Sequence, residues 1–146
     1  MKIRRVEPAD WDEWLRMRCA LWDEATPEEH EDEMRQMLSD PLAPVFVAVR
    51  PGGGLAGFLE GGLRKYAEGC DNSPVGYIEG WYVDADVRRQ GIGGALVQAM
   101  EAWAREQGLT EIASDTWLEN ETSIAAHQRL GYEEVERIVC FRKRLT

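Results

Sequence analysis

The segment with the most distinctive chemistry is residues 83–96, where two arginines and a glutamine stand directly before a group of glycines. Apolar residues at strand spacing precede this segment and apolar residues at helical spacing follow it. The first N–H groups of a helix are unpaired and partly positive, and glycines let an anion approach them closely. We therefore expect a pyrophosphate cradle formed by Arg88, Arg89, Gln90, Gly91, Ile92, Gly93 and Gly94.

Three phosphate-binding patterns compete for this segment. A P-loop requires Lys and Ser or Thr after its glycines, and neither follows here. The dinucleotide fingerprint requires a third glycine where Val97 stands. The pattern Gln/Arg-x-x-Gly-x-Gly/Ala does match, through Arg88, Gly91 and Gly93. A helix start whose glycines only permit close packing remains the alternative.

The elements that would position this segment belong to a mixed α/β fold. The predicted order is β, α, α, β, β, β, α, β, α, β, β, with a largely antiparallel front half and βαβ crossovers behind. Strands are predicted at residues 3–6, 45–49, 55–64, 75–83, 111–116, 132–136 and 139–144, and helices at 8–22, 27–38, 91–107 and 120–130. With no linker or repeat among the 146 residues, one domain over 1–146 is expected.

Composition narrows the possible partners. A net charge of −10 argues against a phosphate-backbone partner and favours cationic ligands, although solubility alone also explains it. The three cysteines and two histidines lack metal-ligand or disulfide spacing, so no metal is predicted and reduced thiols in the cytoplasm are expected. No apolar run is long enough for a membrane span or follows the N-terminus as in a secretory signal.

With the glycine motif placed after a strand, the whole chain resembles the GCN5-related N-acetyltransferases. Asn120, which stands before His127 and Gly131-Tyr132, is similar to a further motif of that family. Within the family, the aminoglycoside 6′-N-acetyltransferases are the most similar branch. That similarity is carried by residues 69–75, 79–80, 113–116, 119–120, 127–137 and 141–144.

The resemblance implies a mostly antiparallel sheet with splayed central strands, about four flanking helices, and acetyl-coenzyme A as the acetyl donor. It implies that Trp81, Tyr82 and Val83 line the pantetheine arm and that Asn120 and His127 contact the cofactor. His127 stands where the family often has a tyrosine that protonates the leaving thiolate. The resemblance further implies a homodimer with the last strands near the interface.

On the acceptor side, the resemblance implies that Glu79 and Asp115 hold a cationic amine, with Trp22, Tyr66 and Glu136 as further contacts. An aliphatic amine is protonated at pH 7, so one carboxylate must also remove a proton, directly or through water. Asp115 is narrowly the preferred base. Because Glu79 lies two residues before Trp81 on one strand, both side chains are predicted on the same face.

Two other functions remain open from the sequence. The same cofactor site would serve an acetyltransferase that acts on a polyamine, a protein N-terminus or a lysine. The absent tyrosine gives slight support to an acetyl-coenzyme A binder without catalytic activity. The acidic candidates Glu79 and Asp115 favour an enzyme over that binder.

Overall fold

A single five-stranded sheet organises the structure, a computed structural model that describes residues 1–146. Its strands lie side by side in chain order, and every pair is antiparallel except β4 with β5. The strands are β1 (Lys2–Arg5), β2 (Val45–Val49), β3 (Leu55–Arg64), β4 (Val75–Val83) and β5 (Ile112–Ser114). The predicted mixed, mostly antiparallel α/β fold is confirmed.

Four helices flank the sheet, at the predicted positions. They are α1 (Trp11–Leu21), α2 (Pro27–Leu38), α3 (Ile92–Glu106) and α4 (Glu121–Arg129), with short 3-10 turns at Pro8–Asp10 and Ala85–Val87. Side chains cap two of these helices, because Thr26 accepts from the backbone N–H of Glu29 and Asn120 from that of Ser123. No helix combines the length and the hydropathy that crossing a bilayer requires.

The helices cover both faces of the sheet and give each face its own core. On one face, α3 buries Leu96 and Met100 against strand residues that include Leu59 and Ile78. On the other face, α1 and α2 bury a second cluster, in which Trp14 packs with Phe58. This two-sided burial explains why the central strands are almost continuously apolar.

A buried ion pair lies within the face covered by α1 and α2. The guanidinium of Arg18 donates to both carboxylate oxygens of Glu60, at 2.6 and 2.5 Å, and Trp14 Nε1 donates to the same carboxylate at 2.8 Å. Arg18 also contacts His30 and the carboxylate of Glu33 at the protein surface. With no buried polar side chain left unpaired, the cost of burying these charges is offset by complete hydrogen bonding.

A bulge in β4 corrects the predicted orientation of Glu79. Glu60 pairs with Gly80 and the next residue, Gly61, pairs with Ile78, so Glu79 has no partner on β3. The extra residue reverses the alternation of side chains along the strand. As a result Glu79 lines a cleft beside Glu60 and α2, whereas Trp81 packs into the core under α3. The prediction that Glu79 and Trp81 share a face is therefore wrong.

The two strands predicted at 132–136 and 139–144 are absent from this chain. Tyr132 still packs on the α3 face and its hydroxyl donates to Glu101 at 2.7 Å, but residues 133–146, here called the C-terminal tail, form no strand. A strand needs a neighbour to receive its backbone hydrogen bonds, and the tail does not pair with the free outer edge of β5. Large apolar side chains of the tail are exposed, among them Val139 at 77% and Phe141 at 92%.

Replacing Glu60 with alanine should lower the free energy of unfolding by about 3–5 kcal/mol, because Arg18 would lose its buried counter-charge. Urea denaturation followed by circular dichroism measures this loss. Glu31→Ala, which removes an exposed partner of Arg35, is the control and should cost less than about 1 kcal/mol. Equal stability of the Glu60 variant and the unsubstituted protein would contradict the role given to the buried pair.

Candidate active site

The candidate site lies where β4 and β5 part. The two strands pair over three positions, the last joining Ile78 to Ser114, and β5 then ends while β4 continues to Val83. Beyond that point β4 stays paired with β3 but has no neighbour on its other edge. The backbone groups on that edge, including those of Trp81 and the N–H of Val83, are available to an extended ligand. This separation is the splay implied by the resemblance.

The start of α3, at one end of this opening, has the features of an anion site. Gly91, the residue before the helix, has a left-handed backbone with φ of 81°, and no side chain caps the helix start. A Cβ added at Gly91 would meet nothing within 4 Å, so the space in front of the helix is open. The free N–H groups of the first turn fit a diphosphate. The side chain of Ile92 is buried in the core, so only its backbone can contribute.

The arginines before the glycines differ in their roles. Arg88 Nε donates to the carbonyl oxygen of Val83 at 2.9 Å, which ties its guanidinium group to the end of β4. Arg89 is exposed and has a positive φ of 64°, which is uncommon for a residue other than glycine. Gln90 beside it is also exposed. The two cations therefore flank the open helix start, as the sequence predicts for a phosphate-binding segment.

Asp84 anchors this phosphate-binding segment to the rest of the protein. Its carboxylate accepts from Arg16 on α1 at 2.9 and 3.0 Å and from Arg50 after β2 at 3.0 Å. Burial alone would raise the pKa of Asp84, but the two arginines outweigh it and hold the pKa below the usual range. Its backbone N–H also donates to Ala56 on β3 at 2.7 Å. The segment is thus held by α1, β3 and the β2–β3 turn.

Trp81 connects the open strand to α3 and α4. Its indole N–H donates to the carbonyl oxygen of Gly93 at 3.2 Å, and a Cβ on Gly93 would lie 3.1 Å from the same ring. The ring of His127 meets Trp81 edge-on, with centroids 5.1 Å apart. Gly93 is therefore required for packing as well as for the helix start.

His127 has partners for both ring nitrogens. Nδ1 lies 2.7 Å from the carbonyl oxygen of Ser123 and must carry the proton, because a carbonyl only accepts. Nε2 then accepts from the hydroxyl of Ser114, at 2.9 Å. Asn120 uses its side-chain oxygen to cap α4, which leaves its amide nitrogen for a ligand. His127 thus lies beside Trp81 on β4, and Asn120 caps the start of the same helix.

The two predicted acids are brought together by residues that the sequence analysis did not identify. Arg64 donates to both oxygens of Glu79, at 3.0 and 2.6 Å, and lies over the ring of Tyr77 with its central carbon 3.6 Å from the ring centroid. The hydroxyl of Tyr77 donates to Asp115 at 2.5 Å. The ion pair raises the pKa of Arg64, and burial followed by the Asp115 bond raises that of Tyr77.

The remaining predicted acceptor contacts differ in placement. Trp22 ends α1 and lies against Gly80, where an added Cβ would come within 2.4 Å of its ring. Tyr66 is 69% exposed on the loop between β3 and β4. Glu136 lies in the C-terminal tail, whose neighbouring Val135 touches Gly69, and the single chain does not bring Glu136 into contact with the two acids.

Trp22 packs against the buried ion pair of Arg18 and Glu60. The guanidinium of Arg18 lies 4.8 Å from the centre of its ring, and His30 stacks beside it with centroids 6.3 Å apart. His30 also contacts the carbonyl oxygen of Trp22 at 3.0 Å. The sequence feature that could have predicted this cluster of Arg18, Trp22 and His30 was Glu60. It is a carboxylate on an apolar strand, and a buried acid needs a partner.

These features match the N-acetyltransferase fold implied by the resemblance, with a candidate donor site and a candidate acidic acceptor site, and comparison with known proteins agrees on the fold. A profile described as "Acetyltransferase (GNAT) family" matches residues 11–132. The chain belongs to this family. No three His, Cys, Asp or Glu side chains are grouped as metal ligands would be.

Relatives with assigned names are aminoglycoside N(6′)-acetyltransferases. The type 1 enzyme of Klebsiella aerogenes is 48% identical, covering 98% of this chain and 96% of its own. The crystal structure of AAC(6′)-IG from Acinetobacter haemolyticus is 35% identical, with a TM-score of 0.93 and full coverage of both chains. AAC(6′)-Iy, solved with the bisubstrate analogue CoA-S-monomethyl-acetylneamine, is 34% identical, with a TM-score of 0.94 over 99% of this chain and 98% of its own.

Asp84→Asn should weaken the binding of coenzyme A by about tenfold, since the phosphate-binding segment would lose its charged contacts with two arginines. Isothermal titration calorimetry measures the dissociation constant. Asp32→Asn, which affects only an exposed pair with Arg35 on α2, is the matched control and should leave it unchanged. Unaltered coenzyme A affinity in the Asp84 variant would refute the anchoring role.

Proposed function

We propose that this chain transfers the acetyl group of acetyl-coenzyme A to the 6′-amino group of aminoglycoside antibiotics and so confers resistance to them. The observation that carries the proposal is the meeting of Glu79 and Asp115 around one cation, Arg64, where β4 and β5 part. An acidic site that already holds a guanidinium group suits an amine cation. The 48% identity to the Klebsiella aerogenes enzyme supports the same acceptor class.

The donor side would be held mainly by backbone groups. The N–H groups at Gly93 and Gly94, with Arg88 and Arg89 beside them, fit the diphosphate, and the open edge of β4 fits the pantetheine arm. When bound, acetyl-coenzyme A supplies the acetyl group as an activated thioester. A backbone N–H at Tyr82 or Val83 would polarise its carbonyl oxygen. Asn120 and His127 would hold the cofactor from α4.

The acceptor side would be held by carboxylates. Glu79 and Asp115 would bind the protonated 6′-amine, with Trp22, Tyr66 and Glu136 contacting the rest of the aminoglycoside. One of the two acids, and we favour Asp115, would then take a proton from the ammonium group directly or through water. The freed lone pair can attack the thioester carbonyl, so that the amide N–C bond forms as the C–S bond breaks. Coenzyme A leaves as a thiolate, and the second proton that the nitrogen loses restores its thiol.

The test of the function is release of free thiol from acetyl-coenzyme A in the presence of kanamycin or tobramycin. Turnover should require an acceptor that bears a 6′-amine, so an otherwise similar aminoglycoside with a 6′-hydroxyl is the matched control. Spermidine and a lysine peptide test the alternative acceptors in the same assay. Turnover only with the spermidine or peptide arm would replace the proposed substrate class with another.

Glu79→Gln and Asp115→Asn should each lower kcat/KM for kanamycin by about 10²-fold or more, because each removes a charge that binds or deprotonates the amine. Affinity for coenzyme A should stay unchanged. The increase of kcat/KM with pH should also be lost in one of the two variants, and the acid replaced in that variant is the base. Glu106→Gln, at the exposed end of α3, is the control. Full activity in both acid variants would contradict their assignment.

We also propose that the protein is a homodimer joined through its C-terminal tail and that it acts in the cytoplasm, where three unpaired cysteines are stable. The tail has exposed apolar residues, and the outer edge of β5 has no neighbouring strand. The basic residues 142–144 of the tail would contact a second copy of the chain, which has a net charge of −10. A second copy satisfies all three features.

Phe141→Glu should therefore convert a dimer into a monomer, because it places a charge in the apolar part of the tail. Size-exclusion chromatography with light scattering gives the mass in solution. Leu42→Glu, which changes an exposed leucine outside the tail, is the control and should leave the mass unaltered. A monomeric unsubstituted protein would contradict the dimer.

A further inference from the structure

The cation that occupies the acceptor site in this structure belongs to the protein itself. Arg64, the last residue of β3, places its Nε 3.0 Å and its Nη2 2.6 Å from the two oxygens of Glu79. Two parallel hydrogen bonds of this kind are the strongest geometry available between a guanidinium group and a carboxylate. They use both oxygens that an incoming ammonium group would need.

The position of Arg64 is defined by its neighbours on both sides. Its guanidinium carbon lies 3.6 Å from the centre of the Tyr77 ring, a close cation–π contact. The Tyr77 ring is buried, and its hydroxyl is bonded to Asp115, so Arg64 lies on a fixed surface between the two acids. Asp115 adds to the negative charge around Arg64.

We propose that Arg64 is a resident counter-ion that the cationic acceptor must displace from Glu79, and that this competition sets the apparent affinity for amines. The inference rests on the proposed function, since it assumes that an ammonium group binds at Glu79. Arg64 already donates to both oxygens of Glu79, so an ammonium group can make two hydrogen bonds to that carboxylate only when Arg64 releases it. Arg64 is therefore a specificity-determining residue and not a catalytic one.

Displacement is feasible because the pair is only partly buried. The side chains of Arg64 and Glu79 are 43% and 39% exposed, so the released guanidinium group can turn into water. Exposed ion pairs of this kind are weak, and losing one changes an equilibrium by about threefold to tenfold.

Arg64→Gln tests this directly. We expect KM for kanamycin to fall by about threefold to tenfold while kcat stays unchanged, because only the competitor for Glu79 has been removed. Arg64→Lys keeps a cation beside Glu79 and should keep KM near that of the unsubstituted enzyme. Arg35→Gln removes an exposed arginine from ion pairs on α2 and should change neither constant.

Calorimetric titration of kanamycin into the same proteins provides a readout without turnover, and the Arg64→Gln protein should bind about threefold to tenfold more tightly. A KM or dissociation constant that is unchanged or raised in Arg64→Gln would overturn the proposal, as would an Arg64→Lys variant that matches Arg64→Gln. Failure of the unsubstituted enzyme to acetylate any aminoglycoside contradicts the proposed function instead. Thermal melting of each variant confirms that it is folded.

Discussion

The extra residue in β4 is the constraint on which both halves of the site depend. Because Glu79 has no partner on β3, the strand changes the direction of its side chains at that point. Side chains at the bulge and after it therefore lie on opposite faces of the sheet. Glu79 lies on the face of α2, and Trp81 lies on the face of α3. The same strand leaves β5 one residue earlier, after Ile78. One irregularity thus coincides with the boundary between the acceptor side and the donor side.

Charged side chains are paired and buried differently on the two sides of that boundary. The donor side presents backbone N–H groups and arginines, and the aspartate beneath them is neutralised by Arg16 and Arg50. On the acceptor side, Glu60 is fully paired below the surface by Arg18, whereas Glu79 is held only by a half-exposed arginine. Burial makes the first pair structural, and exposure leaves the second open to exchange.

Most of the fold follows from local patterns in the sequence, because apolar spacing, capping residues and glycines act within a few residues of each other. The four helices, all five strands of the sheet and the helix start at Gly91 were predictable in this way. The bulge at Glu79 was not, since it depends on register between β3 and β4. The two strands predicted in the tail are not formed, because a strand also needs a neighbouring strand, which local patterns in the sequence do not specify. Arg64 and Tyr77 escaped notice because their roles arise from side chains far apart in sequence.

The first turn of α3 has a consequence for how such a protein can diversify. The main-chain N–H groups at this helix start can bind an anion whichever side chains stand at the exposed positions, provided that the turn keeps its shape. The opposite end of the cleft relies on the identity of a few side chains, each replaceable by a single codon change. Substitutions of those side chains can therefore change which molecule binds in the cleft while the helix start keeps its preference for an anion.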